Sequence, residues 1–407
     1  MGFNTREATP GFKRQIVILN AETRSFKRAS IVMKDVVGLS VSTNTIERIS
    51  LEAGEELAAA KRDDWSAVLT GEVVVPPIAV VLNDGGRIRT RQMGCGPGVH
   101  LENEGWSETK NAAFISATSE TSDVDPEPQP PSCFLNTEHV AKLTEQAKTA
   151  EKTVREAPST DPDSVQVSEP EPSKVKQPHK PRRILRTVVS SMKNSREFGR
   201  QMAREAMRRR FGEAVRKAYL GDGLTCNWTI HAEHFSDYVP ILDFTHAVTY
   251  LFTASVICFG KTPAAWVAYC EWMTLCWQGK ITKVLNELRT QQTRIGLPDE
   301  DTSKDDPREQ LRVVIGYLQN NQNRMHYQRY RCQGLPVTTA WMESLVKEIN
   351  YRVKGTEMFW NNPSGAEAIL QIRAAALSED QRLTRFLSRR PGKATVRRKN
   401  QSLDTAA

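Results

Sequence analysis

Ile78-Ala-Val-Val-Leu-Asn-Asp-Gly-Gly-Arg-Ile-Arg-Thr-Arg91 is the stretch that decides the class of fold. Its first five residues are apolar and do not alternate with polar ones, the pattern of a strand buried on both faces. A tight turn is expected at Asn83-Asp84-Gly85-Gly86, followed by an alternating strand through Arg91, so the whole segment reads as a hairpin. A further strand is expected over Ala112–Ala117. Strands of this kind, set among long helical patterns, define an α/β protein.

Upstream, two helices are expected. Ser25–Val37 stops at Gly38, and Ser42 caps a second helix whose Ile46, Ile49, Ala53 and Leu57 share one face. Joined through Gly38–Ser42, they fit a helix-turn-helix with Thr43, Asn44 and Arg48 turned to a DNA groove. An ordinary helical hairpin has the same pattern. Downstream, Gly94-Cys-Gly-Pro-Gly98 lacks the Lys-Ser/Thr of a phosphate loop. From 123 to 180 the composition turns to Pro, Ser, Thr and acids, which reads as a flexible linker, with 135–156 able to form an isolated polar helix.

The sign then reverses, with twelve Lys or Arg against three Glu over 181–217. Arg196, Arg200, Arg204 and Arg208 recur every fourth residue, one stripe on a helix suited to phosphate contacts or to a solvated basic face. Val215–Leu220 and Tyr238–Leu242 read as strands. The first leads into Gly221-Asp222-Gly223, a carboxylate at a strand end, and the second into Asp243-Phe-Thr-His246 and a buried helix through Phe259. His246 alone fits a satisfied core histidine as well as a site residue. Residues 261–331 are patterned as helices throughout.

A late helix, Val337–Gly355, buries Met342, Leu345, Val346, Ile349 and Val353 and sets Glu343, Lys347, Asn350 and Lys354 in a row on its other side. That row is either an ordinary solvated Glu–Lys face or a carboxylate among phosphate-binding cations. Three acids therefore stand out by position: Asp84, Asp222 and Glu343. Carboxylate oxygens suit hard divalent cations such as Mg²⁺, which keep several waters and need few protein ligands.

Net charge is +8 over 407 residues, which favours a polyanionic partner. The seven cysteines are scattered, with no CxxC pair and no His alternation at zinc-ligand spacing, so reduced thiols and a cytoplasmic setting are expected. No apolar run is long enough to span a bilayer.

Several blocks together carry a family likeness. They are Asn83–Arg91; Gly96-Pro-Gly-Val-His100 with Trp106-Ser-Glu-Thr-Lys110; Tyr219–Leu224 with Asn227-Trp228; Ile241–His246; Gln333–Lys347; Arg352–Trp360; and Gly365-Ala-Glu-Ala-Ile369. In these the chain resembles DDE transposases of bacterial insertion sequences, in the Mutator-like group and closest to its Kra-type family. The likeness spans about residues 20–390, the acidic linker excepted. It implies a ribonuclease H-like mixed sheet with an all-α insertion and an N-terminal helix-turn-helix, with Asp84, Asp222 and Glu343 as the metal-binding triad and Asp243 and His246 as a supporting pair.

The implied cofactor is Mg²⁺ or Mn²⁺, two ions in number, and the implied reaction is cleavage of element ends and strand transfer into target DNA. Double-stranded DNA is the implied partner, gripped by Lys347, Arg352, Lys354 and the arginine stripe. A homo-oligomer on the two ends is also implied, in the nucleoid rather than at a membrane. Two departures are visible: the upstream cysteine pairs of such enzymes have no counterpart, which points to a shortened copy, and Cys226 stands where a Pro-Trp type pair is expected. A ribonuclease H-like nuclease or resolvase, and a non-catalytic DNA-binding derivative, remain as rival readings. The expected partition is a helix-turn-helix region over 1–66, core segments over 67–122, 181–260 (opening on the basic helix) and 332–380, the linker over 123–180, the helical insertion over 261–331, and a basic disordered tail over 381–407.

Overall fold

The computed structural model describes residues 8–63, 73–90, 105–152, 177–355 and 359–389. The glycine-rich stretch 94–98, the block 96–100, the middle of the acidic linker and the tail from 390 onward lie outside the described residues. The chain is a mixed α/β protein built on a five-stranded sheet.

The strands are β1 (Ile78–Arg89), β2 (Trp106–Thr118), β3 (Arg182–Ser191), β4 (Arg216–Gly221) and β5 (Val239–Leu242), in the spatial order β3-β2-β1-β4-β5. β2 pairs antiparallel with both β1 and β3, whereas β4 lies parallel to β1, and β5 parallel to β4. Ile78–Asn83 of β1 and Asn111–Ala117 of β2 are buried without a break, so both faces of the centre are covered, as a continuous apolar run requires.

Two strand expectations are corrected. No turn forms at Asn83–Gly86: β1 runs straight through, pairing Asp84 with Asn111 and Gly86 with Thr109. Neither Gly85 nor Gly86 has positive φ. Gly86 is needed for close approach instead, because a Cβ there would stand 2.7 Å from Oγ1 of Thr109. The second correction is β3, which opens the stretch read as the start of a basic helix. Its arginines hide an otherwise apolar run, Ile184, Leu185, Val188 and Val189, that buries its C-terminal half.

The basic helix begins only after that strand. It is α5 (Ser195–Arg208), capped by the Asn194 side chain, and it packs on β2 and β3. Next come α6 (Thr225–His234) and, after β5, α7 (Phe244–Phe259). The segment read as all-helical holds α8 (Pro263–Trp277), α9 (Ile281–Ile295), α10 (Pro307–Asn321) and α11 (Tyr327–Cys332). α12 (Ala340–Val353) packs on β1 and β2, and α13 (Pro363–Ala376) packs on β3.

At the N-terminal end, α1 (Pro10–Glu22), α2 (Phe26–Val37) and α3 (Thr43–Asp63) dock onto this core. Gly38 ends α2 in the left-handed conformation at φ +73°, the usual helix C-terminal role of glycine. α3 lies so close to α13 that a Cβ on Gly54 would be 2.2 Å from the main-chain oxygen of Ala368. Arg373 donates to the Ala21 carbonyl and to Glu22, tying α1 to α13.

The described part of the acidic stretch is not a free spacer. Asp125 forms a buried ion pair with Arg331, the Glu127 carbonyl accepts from the Trp277 indole, and Phe134 meets the Phe244 ring at 5.2 Å. The polar helix forms as α4 (Thr137–Lys152), but packs on α7 through Val140 rather than standing alone. Likewise the tail begins as α14 (Arg382–Arg389), with Arg382 buried between Glu205 and Asp380. Among the described residues no helix is long and apolar enough to cross a membrane.

Candidate active site

The parallel pairing of β1 with β4 sets Leu82 beside Leu220. Two residues on, Asp222 stands just past the carboxyl end of β4, and Asp84 lies in β1 where that strand runs on beyond its pairing with β4, the side of a parallel pair at which open α/β sheets place ligands. Asp84 accepts the Gly85 amide at 2.7 Å. Asp222 Oδ1 accepts the Leu224 amide at 3.0 Å and Asn227 Nδ2 at 2.7 Å. Burial pushes the Asp84 carboxyl up to about 7, and the Asp222 charge adds to the rise. The carboxylates are thus close enough to repel one another.

β5 delivers the supporting pair. Asp243 is fully buried; its Oδ1 accepts the Thr339 amide at 2.9 Å and its Oδ2 accepts Nδ1 of His246 at 2.7 Å. Its own amide donates to the Gly221 carbonyl, joining the start of α7 to the end of β4. Burial works against the His246 cation, but the bond and charge of Asp243, then the charges of Asp222 and Asp84, win and lift its pKa to about 9. His246 is therefore an imidazolium at neutral pH, facing three carboxylates.

Glu343 sits in the first turn of α12, whose N-cap is Thr339, so Asp243 also fixes the helix that carries it. Its carboxyl is raised by burial and by Asp243, against His246 and Lys347. The structure thus joins Asp84, Asp222, Asp243 and His246, and links Glu343 to them through Asp243 and His246. Among the described residues no three His, Cys, Asp or Glu side chains stand together as a metal-binding group. The Asp84–Asp222 pair suits one hard cation: its donors are anionic oxygens, mutual repulsion destabilises it when empty, and Mg²⁺ takes as few as one or two carboxylates.

Of the expected DNA contacts, Asn44 and Arg48 are exposed on α3 and Thr43 is half-buried. The groove beside them is acidic, lined by Glu47, Glu52 and Glu55, and Arg48 lies 3.8 Å from Glu52. Arg196 and Arg200 are exposed, and Glu197 lies between Arg200 and Arg204 at 3.6 and 3.9 Å. Arg208 breaks the stripe: it turns inward to Glu205 and to the Lys61 carbonyl. Arg352 is a second correction. It is 1 % exposed, donates to the main chain and side chain of Asn20, and lies over the Phe26 and Trp360 rings, so it is a core cation. Lys347 and Lys354 are exposed, Lys354 lying 5.5 Å from the centre of the Trp106 ring.

Asn227, Tyr317 and Thr339 support the acids without any local sequence signal for that role. Asn227 follows Asp222 by five residues across a helix start, and Tyr317 lies deep in the helical segment, so only the fold brings them to the acid. A cavity of about 730 Å³, lined by Lys61, Arg204, Glu205 and Glu367 among others, opens elsewhere, between α3, α5 and α13. Comparison with protein-family models finds no match, and comparison with curated proteins finds none either.

Proposed function

We propose that this chain is a metal-dependent DNA transposase of the DDE type, acting through phosphoryl transfer on a ribonuclease H-like sheet. The observation that carries the reading is that Asp84, in β1 just beyond its pairing with β4, and Asp222, just past the carboxyl end of β4, come close enough to feel each other's charge. The sheet order β3-β2-β1-β4-β5, with its first three strands antiparallel and its last two parallel to β1, agrees with a ribonuclease H-like core. The family likeness supplies the rest of the reading.

Asp84 and Asp222 would hold the divalent ion, and Glu343 is the residue assigned to a second. Bound there, such an ion polarises the scissile phosphate and makes a water or 3′-hydroxyl a better nucleophile. Asn227 aims the Asp222 carboxylate, and Asp243 orients both His246 and the start of α12. The imidazolium of His246 offsets part of the carboxylate charge. At an element end, water oxygen bonds to phosphorus and the 3′ oxygen leaves as a hydroxyl. That hydroxyl then attacks a target phosphorus and displaces a second 3′ oxygen. Exposed Arg196, Arg200, Lys347 and Lys354 are the remaining candidates for phosphate contacts, whereas the acid-lined face of α3 is a poor match for a DNA groove.

The test is nicking and strand transfer on duplex oligonucleotides bearing the flanks of the native gene, with Mg²⁺ or Mn²⁺. The unaltered protein gives both products, and Asp84→Asn or Asp222→Asn lowers both by at least roughly 100-fold. Nicking without joined product favours a nuclease or resolvase. Unchanged nicking by Asp84→Asn removes the metal assignment, and DNA binding with no nicking by the unaltered protein favours a non-catalytic derivative.

A further inference from the structure

The helical segment that separates Asp222 from Glu343 reaches the acids through one side chain in particular. Tyr317, on α10, donates its hydroxyl to the main-chain oxygen of Asp222 at 2.7 Å. Its ring is stacked on Tyr250 of α7, with centroids 3.6 Å apart and planes within 6°. The same ring closes over Gly223, which holds φ +94°, and a Cβ at that position would lie 2.6 Å from the hydroxyl. Glycine is required there twice, for the backbone angle and for the approach.

On the side-chain flank, Asn227 does the complementary work. A carboxylate only accepts, so the Asn227 group facing Asp222 is its amide nitrogen, at 2.7 Å. Its oxygen is then left to accept, and it does so from Asn83 Nδ2 at 2.9 Å. Asn83 immediately precedes Asp84. One amide therefore ties the middle of β1 to the end of β4, and the Tyr219 hydroxyl pins its backbone by donating to the Asn227 carbonyl at 3.1 Å.

We propose that Tyr317 is a positioning residue for the Asp84–Asp222 cation site, clamping the main chain of Asp222 while Asn227 aims its carboxylate. The proposal rests on the metal-binding reading of these acids. It makes the helical segment part of the site: α10 and α7, through the stacked tyrosines, set where one metal-binding carboxylate stands. Outer groups that orient metal ligands typically contribute about 10–100-fold in metal affinity.

The experiment is Mn²⁺ titration of the full chain without DNA, followed by calorimetry and by the paramagnetic resonance of free Mn²⁺, together with thermal unfolding of the metal-free protein. Tyr317→Phe keeps the stack and removes one hydroxyl, so about 10-fold weaker Mn²⁺ binding is expected with the metal-free unfolding temperature nearly unchanged. Asn227→Leu, which removes the donor without adding charge, gives a second measurement that does not depend on Tyr317, and it too weakens binding. Mn²⁺ binding by Tyr317→Phe equal to that of the unaltered protein overturns the clamp while leaving the metal site standing. Failure of the unaltered protein to bind Mn²⁺ overturns the metal reading and the clamp with it.

Discussion

Asp84 is held in the structure at a cost. Its pKa, raised to about 7 by burial and by Asp222, lies above the ordinary carboxylate value of the unfolded chain. The folded state therefore binds the extra proton between about pH 4 and 7, and that contribution to stability is lost as pH rises through 7. Asp84→Asn removes the buried charge and its repulsion with Asp222, so the metal-free variant is expected to be more stable than the unaltered protein at pH 8, by about 2 kcal/mol after allowance for partial solvent exposure. Denaturant titration at pH 5 and pH 8 checks this, and an unchanged difference between the two pH values would refute it. Arg352 gives the opposite case. Burial and the nearby Arg373 lower its pKa to about 10, and Asn20, Phe26 and Trp360 hold it in the core. Arg352→Ala is expected to cost about 3 kcal/mol in urea unfolding and to leave the DNA affinity of the folded fraction unchanged. A selective loss of DNA affinity at full stability would return Arg352 to the phosphate contacts.

At the scale of elements, apolar period was the most legible signal. The stripe Met342, Leu345, Ile349 and Val353 is buried on α12 as its spacing requires, and Ser25 and Gly38 bound α2 as capping chemistry predicts. What the sequence concealed was long-range pairing. Asp84-Gly-Gly has the composition of a turn, yet it is paired residue by residue with Thr109–Asn111 of β2, and that long-range pairing, not the local residues, accompanies the extended course of β1. β3 was hidden because Arg182, Arg183 and Arg186 gave it the charge of the helix that follows; Arg186 is neutralised only at a distance, by the Glu348 carboxylate. The two aspartates at the site could be named because each follows an apolar strand run, although only Asp222 stands at a strand end; Asn227 and Tyr317 could not, because nothing local marks an amide or a phenol as a carboxylate's support. The packing of α3 on α13 makes its own prediction: Gly54→Ala drives a Cβ into the Ala368 backbone, and neither helix can yield by a rotamer change. A loss of about 2–3 kcal/mol is expected in thermal or urea unfolding, and a neutral result would mean that the two helices are not in such close contact.

For the molecule as a whole, the decisive contacts join distant parts of the chain through buried ion pairs. Glu205 on α5 meets Arg382 of α14, both 1 % exposed. Burial alone would raise the Glu205 pKa, but Arg382, Thr187 and Arg208 bring it down to about 2. A depressed acid contributes stability above its unfolded value and loses it as pH falls through the folded value, here from about 4.5 down to 2. Acid unfolding with a midpoint below pH 4, moved to higher pH by Arg382→Met, is the expected outcome; an unmoved midpoint would show that the pair does not govern the transition. Asp125 with Arg331 serves the same purpose for the acidic stretch, which explains why a segment with the composition of a spacer is folded against α8 and α11.

The docking of α1 has a consequence in time. Asn20, Ala21 and Glu22 bond to Arg352 and Arg373, more than three hundred residues further along the chain. A ribosome releases the N-terminal helices long before it has made the arginines that hold them. Through most of synthesis the face of α1 bearing Ile16, Val17 and Ala21 is therefore without its final cover, and the nascent protein depends on whatever shields such a face in the cell.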